Sequence, residues 1–587
     1  MKSRPDSLPL HVRAAWLIFL GCVAYVGGYV LPRAGIDFSD EGWLLTEAML
    51  TAKGADFLPL VAQSADRHLL GLFMRMGITD YLAFRYINLL LIIATSWLFL
   101  SGILQRRFNS LAVPMGMSLC MFFLFRTIPS YNNSPLFLLA GGIGCTAWAV
   151  HASGHSRLSL CALAAGLLCM AGMFNISLAP AISLTPLILA AVYRNRTALL
   201  VLLLYAALYA ISLAAHIFGI GPEVFFSAPG GHELNFKPID RLWDILAEWP
   251  WRFWLPALLA ASVLRAALFK RRWSTTVYNL ILVLLAVLSS AWFLSQIIRT
   301  AFGTELLQGV NEFLTEHKAT FPWATSLTKA GIVPAAAIWG WAFCSLTSLW
   351  SLAAVRRQVL PLVSAAIFLA VWFNKMLFSL MPPIMSGIYS TPLMLATGLA
   401  LLEGRSDDRG PLNGAVCKGG LWCVFLLALV GGVLFSLNVN HVGMDPITEP
   451  GVYSEIPKLR GVKISPDLEA GLKEIRTIYE QNHCSDGLFL TFDSTPLLHY
   501  ILGANPKGRL AYIRSRYLYP ETEMFDALEQ ASCWCVAISE NEAEKGWHKT
   551  EPVLEYLKNN ASRHIVIDGA RPSKSQGRFE IYIGPRQ

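Results

Sequence analysis

Charge is scarce in this chain. Asp, Glu, Lys and Arg make up only 15% of it, against about 25% in soluble globular domains. That shortage argues against one large soluble enzyme, and a chain so rich in apolar residues is not disordered either. No tandem period marks a solenoid. The chain has no G-x-x-x-x-G-K-[ST] loop for a nucleotide triphosphate and no G-x-G-x-x-G after a strand for a dinucleotide. Its 11 cysteines include no Cys/His set at zinc-ligand spacing. Any chemistry must therefore run without nucleotide held in the usual ways. Apolar side chains are what the sequence has in excess: 55% fall in the set AVILMFWYC, with 18 Trp and 32 Phe in 587 residues.

Such a composition predicts a polytopic α-helical membrane protein. Runs long enough to cross a bilayer, roughly 17–25 residues each, fall at 12–31, 81–104, 110–125, 135–151, 158–172, 177–193, 197–219, 252–269, 274–298, 331–354, 358–374, 385–403 and 419–438, about thirteen in all. Basic residues then occupy alternate loops: Lys2, Arg4 and Arg13; Arg106 and Arg107; Arg157; Arg194 and Arg196; Lys270, Arg271 and Arg272; Arg356 and Arg357; Arg405, Arg409 and Lys418. By the positive-inside rule these face the cytoplasm. The N-terminus is then cytoplasmic, and segments 32–80, 220–251, 299–330 and 439–587 lie on the outer face. No small-residue cleavage site follows the first span, so it reads as a retained helix.

The two parts differ in charge. From Val439 onward there are 17 Lys and Arg against 20 Asp and Glu, a net of −3, so the chain before it carries +11 of an overall +8. That basicity belongs to membrane orientation and not to nucleic acid. The expected division is a transmembrane domain over 1–438 and an exported α/β domain over 439–587. In the tail, Ser465-Pro466-Asp467 supplies an N-cap, a first-turn proline and an acidic first turn. Leu468, Leu472, Ile475 and Tyr479 follow at helical spacing. Gly487–Phe492, Cys535–Ile538, His564–Ile567 and Phe579–Ile583 read as short buried strands. An exported compartment permits a disulfide between Cys484 and either Cys533 or Cys535. Tyr500, Tyr512, Tyr517 and Tyr519 are core residues or a sugar-stacking surface.

The most informative stretch follows the first span: Ile36-Asp37-Phe38-Ser39-Asp40-Glu41-Gly42-Trp43. Carboxylates this close to a membrane interface are costly and so are functional candidates. A plainer role is also open, with Ser39 capping a helix whose first turn holds Asp40 and Glu41. Leu44–Lys53 reads as an amphipathic helix along the interface, and Asp66-Arg67-His68 precedes a second short one.

An adjacent Asp-Glu just after the first span resembles the signature of the polyprenyl-phosphate-dependent glycosyltransferases of the GT-C superfamily, in layout the lipid A aminoarabinose transferase and protein O-mannosyltransferase group. Asp80-Tyr81-Leu82-Ala83-Phe84-Arg85 leading into the second span, the Tyr131-Asn132-Asn133 turn and the exported tail are similar too. The resemblance implies a GT-C fold in a bacterial inner membrane with a periplasmic tail. It also implies an inverting transfer of sugar from a polyprenyl (undecaprenyl) phosphate donor to an acceptor hydroxyl on a glycan, glycolipid or exported protein such as a pilin.

On that reading Asp40 is the general base, with Glu41 orienting it or the acceptor. A lipid phosphate leaves, and positive charge must meet it. Lys375, Arg126, Arg85 and His68 are the candidates, with Asp66, Tyr131 and Asn132 beside them at the donor site. Lys375 is favoured because Met381-Pro382-Pro383 makes the segment after it irregular, and such backbone at membrane depth lines cavities. Gly230, Gly231 and His232 form a hinge-like loop, a candidate lid. Some members of the group use a divalent cation, Mg or Mn; Asp37, Asp40 and Glu41 are the ligands available for one. Two other classes remain open: a transporter or flippase of lipid-linked sugars, and a non-catalytic glycan-binding scaffold. Charges clustered at loops and the lack of visible half-to-half symmetry weigh against transport.

Overall fold

The computed structural model describes residues 8–38, 40–55, 65–104, 110–124, 128–130, 133–223, 451–492, 495–506, 521–539, 551–567 and 578–584, with isolated helical positions between 360 and 397. The first seven expected spans are all helical. The chain enters as α1 (Leu10–Cys22), which widens into a π-helical stretch over Val23–Val30. After two short helices, α2 (Asp40–Lys53) and α3 (Ala65–Arg75), come α4 (Tyr81–Ile103), α5 (Ala112–Leu124), α6 (Ser134–His151), α7 (Gly154–Phe174), α8 (Ala179–Tyr193) and α9 (Arg196–Ile220). Six candidate spans among the described residues are long and apolar enough to cross a bilayer; α5 contributes a shorter apolar helix. The fifth is longer than the hydropathy run, reaching back to Gly154. Expected spans eight to thirteen lie outside the described residues apart from the isolated positions. One of those, Phe368, meets Phe99 of α4 edge-on at 5.3 Å.

The spans are joined as the loop residues demand. Arg194 closes α8 in the left-handed conformation at φ 48°, and Asn195 caps α9 by accepting from the Ala198 N–H at 2.9 Å. α4 and α6 approach closely because Gly144 faces the α4 backbone: a Cβ there would stand 2.2 Å from the Leu98 carbonyl oxygen. Small residues permitting backbone contact are the usual packing device where lipid removes the hydrophobic drive between helices. Phe99, Phe137, Leu138, Leu139, Ala164 and Phe174 lie in the shared core.

The tail is α/β. Its helix α10 (Pro466–Gln481) is capped by Ser465, whose hydroxyl accepts from the Leu468 N–H at 3.3 Å. The four expected strands form one sheet in the order β3-β4-β6-β5, with β3 (Leu488–Thr491), β4 (Trp534–Ser539), β5 (Arg563–Ile567) and β6 (Phe579–Ile583). β3 runs parallel to β4, and β6 is antiparallel to both its neighbours. The described residues of the tail also hold a two-residue pair, β1 (Val452–Tyr453) with β2 (Lys463–Ile464), and the helices α11 (Leu497–Leu502), α12 (Glu521–Gln530) and α13 (Glu551–Asn560). Cys484 pairs with Cys535 across 5.7 Å of Cα separation, leaving Cys533 free. Tyr500 is core: it is 1% exposed and its hydroxyl bonds the Thr79 carbonyl. Tyr512, Tyr517 and Tyr519 lie outside the described residues.

α2 departs from expectation. Every residue from Glu41 to Leu50 is buried, so it is no one-sided interfacial helix. The tail lies against it: Ile36, Phe38, Trp43, Leu44 and Leu45 share a core with Leu459, Leu497, Tyr500 and Phe579. The loop after the first span and the tail are therefore on one side of the bundle. The junction expected at 438/439 lies outside the described residues.

Candidate active site

α4 begins at Tyr81, so Tyr81 and Arg85 fall one turn apart on the same face. The Arg85 guanidinium lies over the Tyr81 ring at 4.5 Å and donates through Nη2 to the Tyr81 hydroxyl at 2.9 Å. Against this pair sits Glu41, in the first turn of α2. Its Oε2 accepts from Arg85 Nη2 at 3.0 Å and from the Tyr81 hydroxyl; its Oε1 accepts the Ile128 N–H at 3.1 Å. The Asp37 N–H donates to the Tyr81 oxygen at 3.0 Å, which uses that hydroxyl's one donor and two acceptor sites.

Arg85 Nη1 spreads over the carbonyls of Pro32, Ala34 and Gly35 at 3.1, 3.0 and 2.9 Å. Gly35 makes that turn at φ 59°, a conformation that favours glycine. Arg85 is 0% exposed and Glu41 2%. A buried pair is retained at a cost in desolvation, so its value lies in fixing geometry. Here it locks the loop leaving the first span to the start of α2 and to α4.

This arrangement separates the two acids. Glu41 is committed to an internal knot, and Arg85 is committed to Glu41 and three carbonyls instead of standing free for a lipid phosphate. Asp40 is the first residue of α2. Asp37 is 1% exposed beside the knot. A divalent cation shared by Asp37, Asp40 and Glu41 would have to draw Glu41 away from a guanidinium at 3.0 Å and three hydrogen bonds. Among the described residues, no group of three His, Cys, Asp or Glu is arranged to hold a metal ion.

A second charged cluster forms where α3 crosses the end of α9. Arg67, 3% exposed, reaches His216 with Nη2 3.5 Å from Nδ1. Burial lowers the Arg67 pKa, while the charges of Glu47 and Asp66 oppose that shift. Asp66 is 1% exposed and accepts the Arg67 N–H at 2.9 Å. His68, on the more open side of α3, keeps solvent contact, yet crowding by the protein pushes its pKa down to about 4, helped by Arg67, His216 and Arg75. It is neutral at pH 7 and offers an N–H, not a charge.

The structure thus brings together Asp37, Glu41 and Arg85, with Asp40 at the start of the same helix, and groups Asp66 with His68 separately. Lys375, Arg126, Tyr131, Asn132, Gly230, Gly231 and His232 lie outside the described residues. In the sequence, Tyr81 and Arg67 stand inside quoted motifs without a role of their own, and Glu47 and His216 carry no signal. The i, i+4 spacing of Tyr81 and Arg85 was the available signal for one; Arg67 and His216 are 149 residues apart, and no local pattern joins them.

No known family profile matches the chain, and no curated protein does. Among solved structures it is similar to ArnT from Cupriavidus metallidurans in the apo state, at 12% identity and TM-score 0.39, over 97% of this chain and 98% of that one. It is similar over the same shares to ArnT from Cupriavidus metallidurans bound to undecaprenyl phosphate, at 12% identity and TM-score 0.37. Likeness at these values carries no function over to this chain.

Proposed function

We propose that the chain is a membrane glycosyltransferase that moves a sugar from a polyprenyl-phosphate donor, with undecaprenyl phosphate as the carrier, to an acceptor hydroxyl at the periplasmic face of a bacterial inner membrane. The observation that supports this reading is the commitment of Glu41 to internal partners, which leaves its neighbour Asp40 as the acid we assign to the chemistry. Glu41 holds the start of α2 through Arg85 and Tyr81, and the role of general base falls to Asp40. In the transfer, Asp40 takes the acceptor hydroxyl proton while the acceptor oxygen bonds to the anomeric carbon. The bond from that carbon to the phosphate oxygen breaks, and the lipid phosphate leaves with its electron pair. An oxocarbenium-like transition state makes a placed carboxylate effective. Lys375 and Arg126 are the cations assigned to the leaving phosphate, with His68 and Asp66 toward the donor sugar and 230–232 as the lid.

Loss of one sugar from the host's surface glycans or exported proteins on deleting the gene, read by mass spectrometry, would identify donor and acceptor together. Asp40→Asn should reproduce that loss at equal protein level, with transfer down about a hundredfold or more. Undiminished transfer by this variant would remove Asp40 from the mechanism.

A further inference from the structure

The tail contacts the loop that carries the acidic pair at positions flanking that pair on both sides. Upstream, Ala34 makes a parallel bridge with Lys463, the Lys463 N–H donates to the Arg33 carbonyl, and the Gly35 N–H donates to the Lys463 carbonyl at 2.9 Å. Around the pair itself, one tail turn, Pro496–Leu497 at the start of α11, touches three positions spaced four apart. The Leu497 N–H donates to the Phe38 carbonyl at 3.2 Å. Gly42 lies against Leu497 so closely that a Cβ would stand 2.5 Å from the Leu497 nitrogen and 2.6 Å from its Cβ. The Thr46 hydroxyl, 0% exposed, reaches the Pro496 carbonyl at 2.9 Å and the Gly42 carbonyl at 2.8 Å. At the far end of α2, Lys53 Nζ donates to the Gly503 carbonyl at 3.0 Å and to Asn505 Oδ1 at 2.8 Å.

Spacing of four residues places 38, 42 and 46 along one line of the helix and its entry. Ser39, Asp40 and Glu41 are thus bracketed by two contacts to the same tail residue. Glycine in a first turn weakens a helix, and its presence at 42 is explained by a backbone approach that no side chain allows.

We propose that the tail domain is a positioning element for the acidic pair, gripping segment 38–46 through Pro496–Leu497 so that Asp40 stands at a fixed place relative to the Glu41–Arg85 knot. The tail is then part of the reaction geometry and not an appended binding module. The proposal rests on the reading of Asp40 as the base.

The test uses the full-length chain in membranes. Thr46→Val removes the hydroxyl and keeps the shape; Thr46→Ser keeps the hydroxyl. Sugar transfer per mole of protein should fall three- to tenfold in Thr46→Val and return to within twofold in Thr46→Ser. Binding of undecaprenyl phosphate, the probe, should change less than twofold in either. Gly42→Ala should lower transfer further and speed hydrogen exchange in both 38–46 and 495–500. Wild-type transfer by Thr46→Val overturns the proposal. So does a loss shared equally by Thr46→Val and Thr46→Ser, or one matched by lost probe binding. Asp40→Asn in the same assay separates the two claims. An active Asp40→Asn defeats the catalytic reading, whereas an inactive Asp40→Asn beside a fully active Thr46→Val defeats only the positioning role.

Discussion

The bundle of spans and the layer above it are held together by opposite means. Within the bundle, contact is made by volume. Gly144 lets α6 reach the α4 backbone, and the polar contacts between helices are neutral, as where Trp148 of α6 donates to the Ser101 hydroxyl of α4 at 3.0 Å. In the outer layer, charges are buried and paired: Glu41 with Arg85, and Asp66 and Glu47 around Arg67. Burial of charge is tolerated where each group is closely bonded. These buried charges gather around the acidic motif, an arrangement that holds a geometry at some expense of stability.

The largest expected effect comes from breaking that pairing. Arg85→Leu leaves Glu41 buried without a counter-charge and three carbonyls without their donor, which should cost about 3–5 kcal/mol, seen as a lower melting temperature of the purified protein. Adding Glu41→Leu should recover part of the loss, because two apolar residues no longer strand a charge; no recovery would mean that the carbonyl contacts matter more than the ion pair. Next in size is the disulfide. It closes a 51-residue separation between the end of α10 and β4, so the Cys484→Ala, Cys535→Ala double variant should lose about 2–4 kcal/mol. That loss belongs to the tail, and hydrogen exchange in β3 and β4 should register it while α6 and α7 stay protected.

The same contrast explains what could be read from the sequence. Spans declare themselves by hydropathy, and the loops between them by basic residues such as Arg194 and Arg196, because lipid and the backbone impose local rules. The tail strands were visible as short apolar runs, and the Ser465 cap as a local pattern. α2 was misread as interfacial because the surface that covers its second face arrives some 450 residues later. Arg85 read as a free cation for the same reason: its partners, Glu41 and the carbonyls of 32–35, are 44 to 53 residues away. Cys535 in preference to Cys533 required the pairing of β3 and β4. Local chemistry was legible; which distant group consumes it was not.

Two smaller tests probe each half by its own means. In the bundle, Gly144→Ala forces a methyl to within 2.2 Å of the Leu98 carbonyl oxygen, and overpacking of this kind costs about 1–3 kcal/mol. Gly166→Ala in α7, where a Cβ meets nothing within 4 Å, should be neutral or slightly stabilising. Equal melting temperatures for the two variants would break the claim that volume governs the bundle.

In the outer layer the matching probe is proton concentration. His499 of α11 is fully buried, and neither ring nitrogen has a hydrogen-bond partner among the described residues. Its ring packs edge-on against Phe489 at 5.5 Å. Burial pushes its pKa down from 6.5 to about 3. Between those values the unfolded state holds a proton that the folded state refuses, so stability is complete above pH 6.5 and declines as pH falls toward 3. Moving from pH 7.5 to 5.5 crosses about one unit of that window and should cost about 1.4 kcal/mol. Faster hydrogen exchange in α11 and in segment 38–46, which α11 holds, would report the loss. His499→Phe keeps an aromatic ring and cannot titrate, so its exchange free energies should change less over the same interval. An unchanged slope would move the pH dependence to another group and remove the histidine of the gripping helix from the comparison.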